Sequence, residues 1–262
     1  MSIITICYNA KTEIERTMLS ILNQTYLYIE YIVIDGGSKD GTVDVINRYK
    51  DRLSYFVSEP DKGIYDAMNK GVKVATGEWV LFINGGDALL CNDTLETFFA
   101  SYEDKGEALI TGNIRFLKNG MYLDKTPHIL EQSLFEAMPM YHPSTFIRRE
   151  VHAIILYDTK YRLSADYNFF LALLIKGYRY KYIPQIIAMF DYSQGASTDN
   201  LGKALLENIS IVSSYGASKV VVNQYKKKLT QYRIRKILYL IPAVKRMRDK
   251  RIIKKEGWQQ LS

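Results

Sequence analysis

The chain has 262 residues, 47% of them hydrophobic, which suits one large domain or a domain with an appendage. Its formal net charge of +7 comes from the C-terminal part, because residues 201–262 contain 15 lysines and arginines and 3 acidic residues, whereas the first 200 residues carry a net −5. This distribution argues against a nucleic-acid-binding body, and no apolar run approaches the roughly 20 residues that a membrane-spanning helix needs.

Cysteine usage and the N-terminus predict the compartment. Cys7 and Cys91 are too few for a disulfide framework, which favours a reducing environment. Met1 and Ser2 lead directly into the apolar segment IITICY without a basic region, so no secretory signal is predicted. We therefore expect a cytoplasmic protein.

The first 92 residues alternate between short apolar runs and helical patterns. Thr12 and Glu15 have the spacing of a capping box at the start of the first helix. Strands are predicted at 2–8, 30–35, 54–58 and 79–84, and helices at 12–22, 42–50 and 64–75. Such alternation predicts right-handed crossovers and a parallel, doubly wound sheet.

Polar residues follow these strands. Asn9 follows the first strand, Asp35 ends the second, and Asp87 comes after Gly85 and Gly86 at the end of the fourth. Ligands of open α/β sheets bind at the carboxyl ends of the strands, where a carboxylate can hold a divalent cation if substrate phosphates supply other oxygens. The alternative is ordinary turn chemistry, because Gly and Asp are common in turns. Neither a G-x-G-x-x-G segment nor a P-loop follows the first strand.

After Asp93 the regular alternation stops. From Asn200 onward the chain is predicted to be helical and increasingly basic. Between these points the patterns predict a helix through 95–102, a strand at 108–111, a hairpin at 114–124 with Asn119-Gly120 as its turn, a strand at 144–148, a helix from Ser164 to near Gly177, and strands at 179–183 and 186–192.

Four stretches together resemble family 2 glycosyltransferases of the GT-A fold. They are SIITICYNA (2–10), the block 20–42 containing EYIVIDGGSKDGT, the block 60–87 ending in FINGGD, and SADYNFF (164–170). The resemblance covers roughly residues 2–200. It implies a Rossmann-like, doubly wound mixed sheet with a nucleotide-sugar-binding half at about 1–92, an acceptor half at about 93–200 and a helical basic extension at 201–262.

The resemblance also implies a function. It predicts an inverting glycosyltransferase that moves a sugar from a UDP- or dTDP-sugar to a saccharide or lipid-linked acceptor in cell-surface polysaccharide synthesis. Asp87 would bind Mg²⁺ or Mn²⁺ on the diphosphate, and Asp166 would be the general base. Residues expected around the nucleotide sugar are Thr5, Tyr8, Asn9, Asp35, Gly36, Asp66 and Gly86.

Several of these roles have alternatives. His142 is expected to be a second metal ligand or a phosphate contact, or else a structural histidine. Ser164-Ala165-Asp166 before an apolar helix also suits an N-cap, and Asp66 could be solvated. If Asp166 is not the base, Glu131 and Asp191 are the next candidates. A loop at 195–197 resembles one over the acceptor side.

The sequence departs from the family pattern at two glycines. Gly36 follows Asp35 where the family usually has a second Asp, which puts the selectivity for the nucleobase in doubt. Gly86 precedes Asp87 where the family commonly has another Asp, which puts the strength of metal binding in doubt.

Two other classes of protein share a similar sheet. A nucleotidyltransferase that makes sugar nucleotides usually has a Gly-rich basic loop after the first strand, and residues 7–10 contain none. A non-catalytic sugar-nucleotide-binding protein would have no need for both Asp87 and Asp166, and both are present.

The basic tail has two interpretations. Lysines and arginines from Lys226 to Arg251 alternate with apolar residues from Leu229 to Ile241, which predicts a basic helix with an apolar stripe, broken near Pro242. The stripe either packs on the catalytic domain or lies on an anionic membrane at the cytoplasmic face, which would suit a lipid-linked acceptor.

Overall fold

The computed structural model describes residues 1–129, 134–191, 200–238 and 257–260. Its strands are β1 (Ser2–Cys7), β2 (Glu30–Asp35), β3 (Tyr55–Ser58), β4 (Trp79–Phe82), β5 (Ala88–Leu89), β6 (Leu109–Lys118), β7 (Met121–Lys125), β8 (Thr145–Arg148), β9 (Tyr180–Asp191) and β10 (Gln259–Gln260). Its α-helices are α1 (Ile14–Leu22), α2 (Thr42–Asn47), α3 (Ile64–Val74), α4 (Thr94–Ala100), α5 (Arg149–Ile154), α6 (Ala165–Ile175), α7 (Leu201–Ser214) and α8 (Lys219–Leu238). Short 3₁₀ helices lie at Lys50–Arg52 and His142–Ser144.

The N-terminal half is the predicted parallel sheet. Its strands lie in the order β3-β2-β1-β4, with Cys7 opposite Asp35 and Ile4 opposite Phe82. Every residue of β1 and β4 is buried, because helices cover both faces. Ile3 packs in the core that contains α1 and α4, while its neighbour Ile4 packs in the core that contains α3 and α6.

The second half makes the sheet mixed. β8 lies between β4 and β6 and runs antiparallel to both, as the pairing of Val80 with Ile147 shows. β6 continues into a hairpin with β7, whose turn residues Asn119 and Gly120 have φ of 51° and 73°, as a type I′ turn requires. β9 pairs in parallel with the other edge of β6.

Two predicted breaks in strands are wrong. The predicted strand at 108–111 and the first arm of the predicted hairpin at 114–124 form the single strand β6 (Leu109–Lys118). The predicted strands at 179–183 and 186–192 form the single strand β9 (Tyr180–Asp191), as far as the described residues extend. The register between them moves from Thr111 opposite Tyr182 to Asn113 opposite Ile186, so β9 carries extra residues around Pro184. A β-bulge accommodates a proline and bends the strand without ending it.

The predicted capping box is also wrong. Helix α1 begins at Ile14, and no side-chain cap is formed. The backbone N–H groups of Glu13 and Ile14 donate to the carbonyl of Ala10 at 3.1 and 2.8 Å, so a backbone turn begins the helix. The Glu15 carboxylate instead accepts a hydrogen bond from Tyr49 at 2.7 Å.

The C-terminal helices α7 and α8 pack on the same core as α6. Leu205, Ile211, Val212, Tyr225 and Leu229 are all buried there. Of the predicted apolar stripe, Leu229 is buried, whereas Ile234 and Leu238 are exposed. The part of the stripe after Leu238, including Pro242, lies outside the described residues. In the ranges that the structure covers, no helix combines the length and apolar character needed to cross a membrane.

Candidate functional site

A cavity of about 460 Å³ opens at the carboxyl ends of β1 and β4. Its walls also include the start of α3, the His142–Ser144 turn, the start of α6 and the end of β9. The predicted site residues that line it are Tyr8, Asn9, Gly86, Asp87, His142 and Asp166. The strand ends thus bring together residues that are far apart in sequence.

Asn9 ties the end of β1 to the turn after β2. It has a left-handed backbone with φ of 48°, which asparagine tolerates better than most residues. Its N–H donates to Ser38 Oγ at 2.7 Å, and its Oδ1 accepts from the N–H of Lys39 at 3.0 Å. The two strand ends therefore form one continuous part of the rim.

Thr5 and Asp35 lie behind the cavity, and neither belongs to its lining. Thr5 is fully buried and donates to the carbonyl of Ile83 at 2.7 Å. Asp35 is also fully buried, and its Oδ2 accepts from the N–H of Ser38 at 2.9 Å and from Ser58 Oγ at 2.6 Å. Asp35 therefore fixes the turn after β2, and direct contact of Thr5 or Asp35 with a nucleotide stays a prediction.

Gly36 lies beneath a second carboxylate. A Cβ atom added to Gly36 would lie 2.6 Å from Asp61 Oδ2 and 3.2 Å from the Tyr8 ring, so the Asp61 carboxylate occupies the space above the glycine. Asp66 lies outside the cavity lining, and its Oδ2 accepts from the N–H of Lys62 at 2.9 Å. The contact of Asp66 with the sugar stays a prediction.

Asp87 is held by α1. The hydroxyl of Thr17 donates to the Asp87 carbonyl at 2.6 Å and accepts from the N–H of Gly86 at 3.0 Å, while Arg16 donates to the Gly86 carbonyl. Gly86 has φ of 102°, a conformation that favours glycine. Burial raises the pKa of the Asp87 carboxyl to about 8, against the opposing charge of Arg16. A cation at this carboxyl would therefore favour its ionised form.

The oxygen atoms around Asp87 suit a hard cation. The Asp191 carboxyl lies close enough to raise the pKa of Asp87 further, and both residues line the cavity with Asn84. Asn84 Oδ1 is buried without a hydrogen-bond partner among the described residues. No group of three or more His, Cys, Asp or Glu residues with metal-ligand geometry occurs in the described ranges, but Mg²⁺ needs only one or two carboxylates when phosphates complete its coordination.

His142 is a buried, neutral imidazole. Burial lowers its pKa to about 3, with a smaller contribution from His152. Its Nε2 lies 2.5 Å from the hydroxyl of Tyr157, and its Nδ1 is buried without a partner in the described part of the chain. A neutral imidazole can bind a metal or hydrogen-bond a ligand, so both predicted roles remain predictions.

Asp166 stands in the first turn of α6 and is partly buried. Tyr65 donates to its Oδ1 at 2.8 Å, and the N–H of Tyr167 donates to the same atom at 2.9 Å. Burial raises the pKa of the Asp166 carboxyl, the hydrogen bond from Tyr65 lowers it, and the nearby Glu207 charge raises it. A raised pKa makes the carboxylate a stronger base, and its place in the cavity wall suits it to accept a proton from a bound ligand.

Sequence reasoning missed several polar residues of the site, among them Tyr65, Asn84, Arg162 and Glu207. Asn84 could have been found from the sequence, because it is the polar residue that ends the apolar run before Gly85 and Gly86. Arg162 lines the cavity and Glu207 binds the backbone before α6, and no local pattern marks either residue. The predicted loop at 195–197 and the alternative base Glu131 lie outside the described residues.

Comparison with solved structures agrees with this architecture. The mannosyltransferase PcManGT of Pyrobaculum calidifontis, solved with GDP-Man and Mn²⁺, has a TM-score of 0.64 at 18% identity over 87% of this chain and 68% of that chain. S. aureus TarS 1-349, solved with UDP, has a TM-score of 0.61 at 15% identity over 87% of this chain and 70% of that chain. The chain spans 42% of a longer TarS structure. These similarities show that the chain has the GT-A fold.

The sequence comparison gives the family. The chain belongs to glycosyl transferase family 2, whose sequence profile matches residues 2–161. A PGL/p-HBAD biosynthesis glycosyltransferase of Mycobacterium bovis (strain BCG / Pasteur 1173P2) is 29% identical over 227 residues, covering 84% of this chain and 88% of that protein. An uncharacterised glycosyltransferase of Mycobacterium tuberculosis (strain CDC 1551 / Oshkosh) is 32% identical over 176 residues, covering 65% of this chain and 67% of that protein. These findings favour glycosyl transfer over the nucleotidyltransferase and non-catalytic alternatives.

Proposed function

We propose that the protein is an inverting glycosyltransferase that moves a sugar from a UDP- or dTDP-sugar to a saccharide or lipid-linked acceptor in cell-surface polysaccharide synthesis. The observation that carries the proposal is one cavity lined by both Asp87 and the Tyr65-bound Asp166. Proteins of similar fold have been solved in complex with UDP, UDP-GlcNAc and GDP-Man, which supports a nucleotide-sugar donor.

The diphosphate end of the donor is proposed to lie at Asp87. Asp87, with Asn84 and Asp191 beside it, would hold Mg²⁺ or Mn²⁺, a proposal supported by the oxygen donors there and by the Mn²⁺ in the PcManGT complex. When bound, the cation neutralises charge that develops on the leaving diphosphate. His142 is proposed to face the same end as a further ligand or a phosphate contact.

Asp166 is proposed to act on the acceptor. Its carboxylate would take the proton from the acceptor hydroxyl while that oxygen bonds to the anomeric carbon of the donor and the bond to the diphosphate breaks. Tyr65 and the N–H of Tyr167 fix the carboxyl by binding Oδ1. Attack opposite the leaving group inverts the anomeric configuration.

A donor screen tests the proposed function. We expect purified protein with Mn²⁺ and a saccharide acceptor to release UDP or dTDP from at least one sugar nucleotide, and the transferred sugar to have the inverted configuration. The assay measures free nucleoside diphosphate, and the anomeric configuration is read by NMR. Release of pyrophosphate from a nucleoside triphosphate and a sugar phosphate would indicate a nucleotidyltransferase, and retention would contradict single displacement.

Membrane association is proposed for the exposed part of α8. Lys226, Lys227, Arg233, Arg235 and Lys236 are exposed on this helix, and Ile234 and Leu238 expose 52% and 44% of their surface. Each such charge contributes about 1 kcal/mol near an anionic surface, and apolar side chains add burial in the headgroup region. The surface would bring the cavity to an acceptor carried on a lipid.

Liposome flotation checks this proposal. We expect the protein to float with vesicles containing anionic lipid at low salt, to float less as salt rises, and not to float with neutral vesicles. Charge reversal of Arg233, Arg235 and Lys236 to Glu should abolish flotation. The matched control reverses the exposed Lys50, Lys73 and Lys125 on the body. Equal loss in both variants, or no flotation of the intact protein, would contradict a role for α8.

A further inference from the structure

The turn before α6 is bound by a carboxylate from another helix. The backbone N–H groups of Arg162, Leu163 and Ser164 all donate to the Glu207 carboxylate, each at 2.9 Å. Glu207 lies on α7, beyond the region 2–161 that matches the family profile. N–H groups at a helix start have no partner within the helix, and a negative charge there interacts favourably with the helix dipole. Glu207 therefore holds the turn that leads into α6 and includes its N-cap residue, Ser164.

Helix α8 contacts Tyr167, the residue that follows Asp166. The hydroxyl of Tyr225 donates to the hydroxyl of Tyr167 at 3.2 Å, and the N–H of Tyr167 donates to Asp166 Oδ1 at 2.9 Å. Tyr225 and Tyr167 are both buried. Helix α7 thus contacts the turn that precedes Asp166, and α8 contacts Tyr167, the residue that follows it.

Helices α7 and α8 act as one packed unit. Gly202 on α7 allows the Tyr232 ring of α8 to approach, since a Cβ atom at Gly202 would lie 2.6 Å from that ring. Leu205 and Leu229 from the two helices are buried in the core that also contains Phe170 of α6. Movement of either helix would therefore be transmitted to the start of α6.

We infer that α7 and α8 complete the active site, and that Glu207 is a positioning residue that holds the 162–164 turn so that Asp166 faces the cavity. The inference rests on the proposed role of Asp166 as general base. Glu207 is not among the cavity-lining residues, so it acts through the backbone it binds and not by touching the substrate.

Kinetics of Glu207 variants test the inference. A displacement of about 1 Å can cost about 10²-fold in rate, so we expect Glu207→Ala to lower kcat by about 10- to 100-fold. Glu207→Gln keeps one acceptor oxygen and should lose less. The KM for the donor should stay within about threefold of wild type, because Asp87 is held by Thr17 and Arg16. Glu150→Gln, a change of an exposed carboxylate in the first turn of α5, is the matched control and should leave kcat unchanged.

A double-mutant cycle separates positioning from general stability. If Glu207 acts through Asp166, Glu207→Gln should cost turnover in the wild-type background and little in the Asp166→Asn background. Equal losses in both backgrounds would overturn the inference. A kcat for Glu207→Ala within about twofold of wild type would also overturn the inference. If the alanine variant does not fold, the same criterion applies to Glu207→Gln.

The two proposals fail in different ways. Normal turnover of the Glu207 variants together with lost turnover of Asp166→Asn would overturn the positioning role alone. Normal turnover of Asp166→Asn would overturn the general base, and the positioning role with it.

Discussion

Asp166→Asn is expected to fold and to bind the nucleoside diphosphate normally, yet to lose about 10²–10⁴ in turnover, the range that general base catalysis supplies. Asparagine has nearly the same size and keeps an oxygen that can accept from Tyr65 and from the N–H of Tyr167. It cannot take a proton from an acceptor hydroxyl. The loss should therefore appear in kcat, with the KM for the donor almost unchanged.

The measurement compares steady-state kinetics with nucleotide affinity from calorimetry. A suitable control is Asn168→Asp, which places a carboxylate two residues further along the same helix and should not restore the base when combined with Asp166→Asn. If Asp166→Asn turns over at nearly the wild-type rate, the base lies elsewhere. Asp191 is the next candidate, because it lines the same cavity.

The sequence predicted the first half of the fold well because its signals are local. The apolar runs of β1, β2 and β4 are buried on both faces, so each reads as a strand without knowledge of its neighbours. The rim prediction followed, since parallel strands place their carboxyl ends together. Asn9, Gly86 and Asp87 line the cavity for this reason.

The errors arose where tertiary contacts determine the extent of a strand or the start of a helix. The patterns at 179–183 and 186–192 predict two strands, but a bulge against β6 keeps residues 180–191 in the single strand β9. Thr12 and Glu15 have capping-box spacing, but the Glu15 carboxylate binds Tyr49 and the Ala10 carbonyl begins the turn. Tyr49 lies 34 residues from Glu15, and no local pattern reveals that contact or the pairing of β9 with β6.

The same difference between local sequence patterns and tertiary contacts applies to the candidate site. Asp166 could be found because it belongs to a recognisable motif, whereas Glu207, which binds the backbone before it, has no motif of its own. Asp35 shows the reverse case. It sits in the most recognisable block, yet its carboxylate is used by Ser38 and Ser58, which only the three-dimensional structure reveals.

The metal proposal leads to the other large effect. Asp87→Ala is expected to reduce turnover by about 10³-fold, since losing a positioned Lewis acid costs several kcal/mol of transition-state stabilisation. EDTA should reduce wild-type activity to a similar level, and added Mn²⁺ or Mg²⁺ should restore it. Asp93→Ala is the control, because Asp93 is exposed and its side chain makes no capping bond at α4.

A readout apart from activity is the thermal stability of the protein with UDP. A ligand that binds only the folded state raises the melting temperature, so Mn²⁺ should raise it for wild type and Asp93→Ala but not for Asp87→Ala. Asp87→Ala should itself stay folded, because Thr17 and Arg16 bind the backbone carbonyls of Asp87 and Gly86 and not the Asp87 side chain. Full wild-type activity in EDTA would show that the cation is not needed. In that case the positive charge for the diphosphate would have to come from arginines. Arg16 lies near the Asp87 carboxyl, and Arg162 lines the cavity.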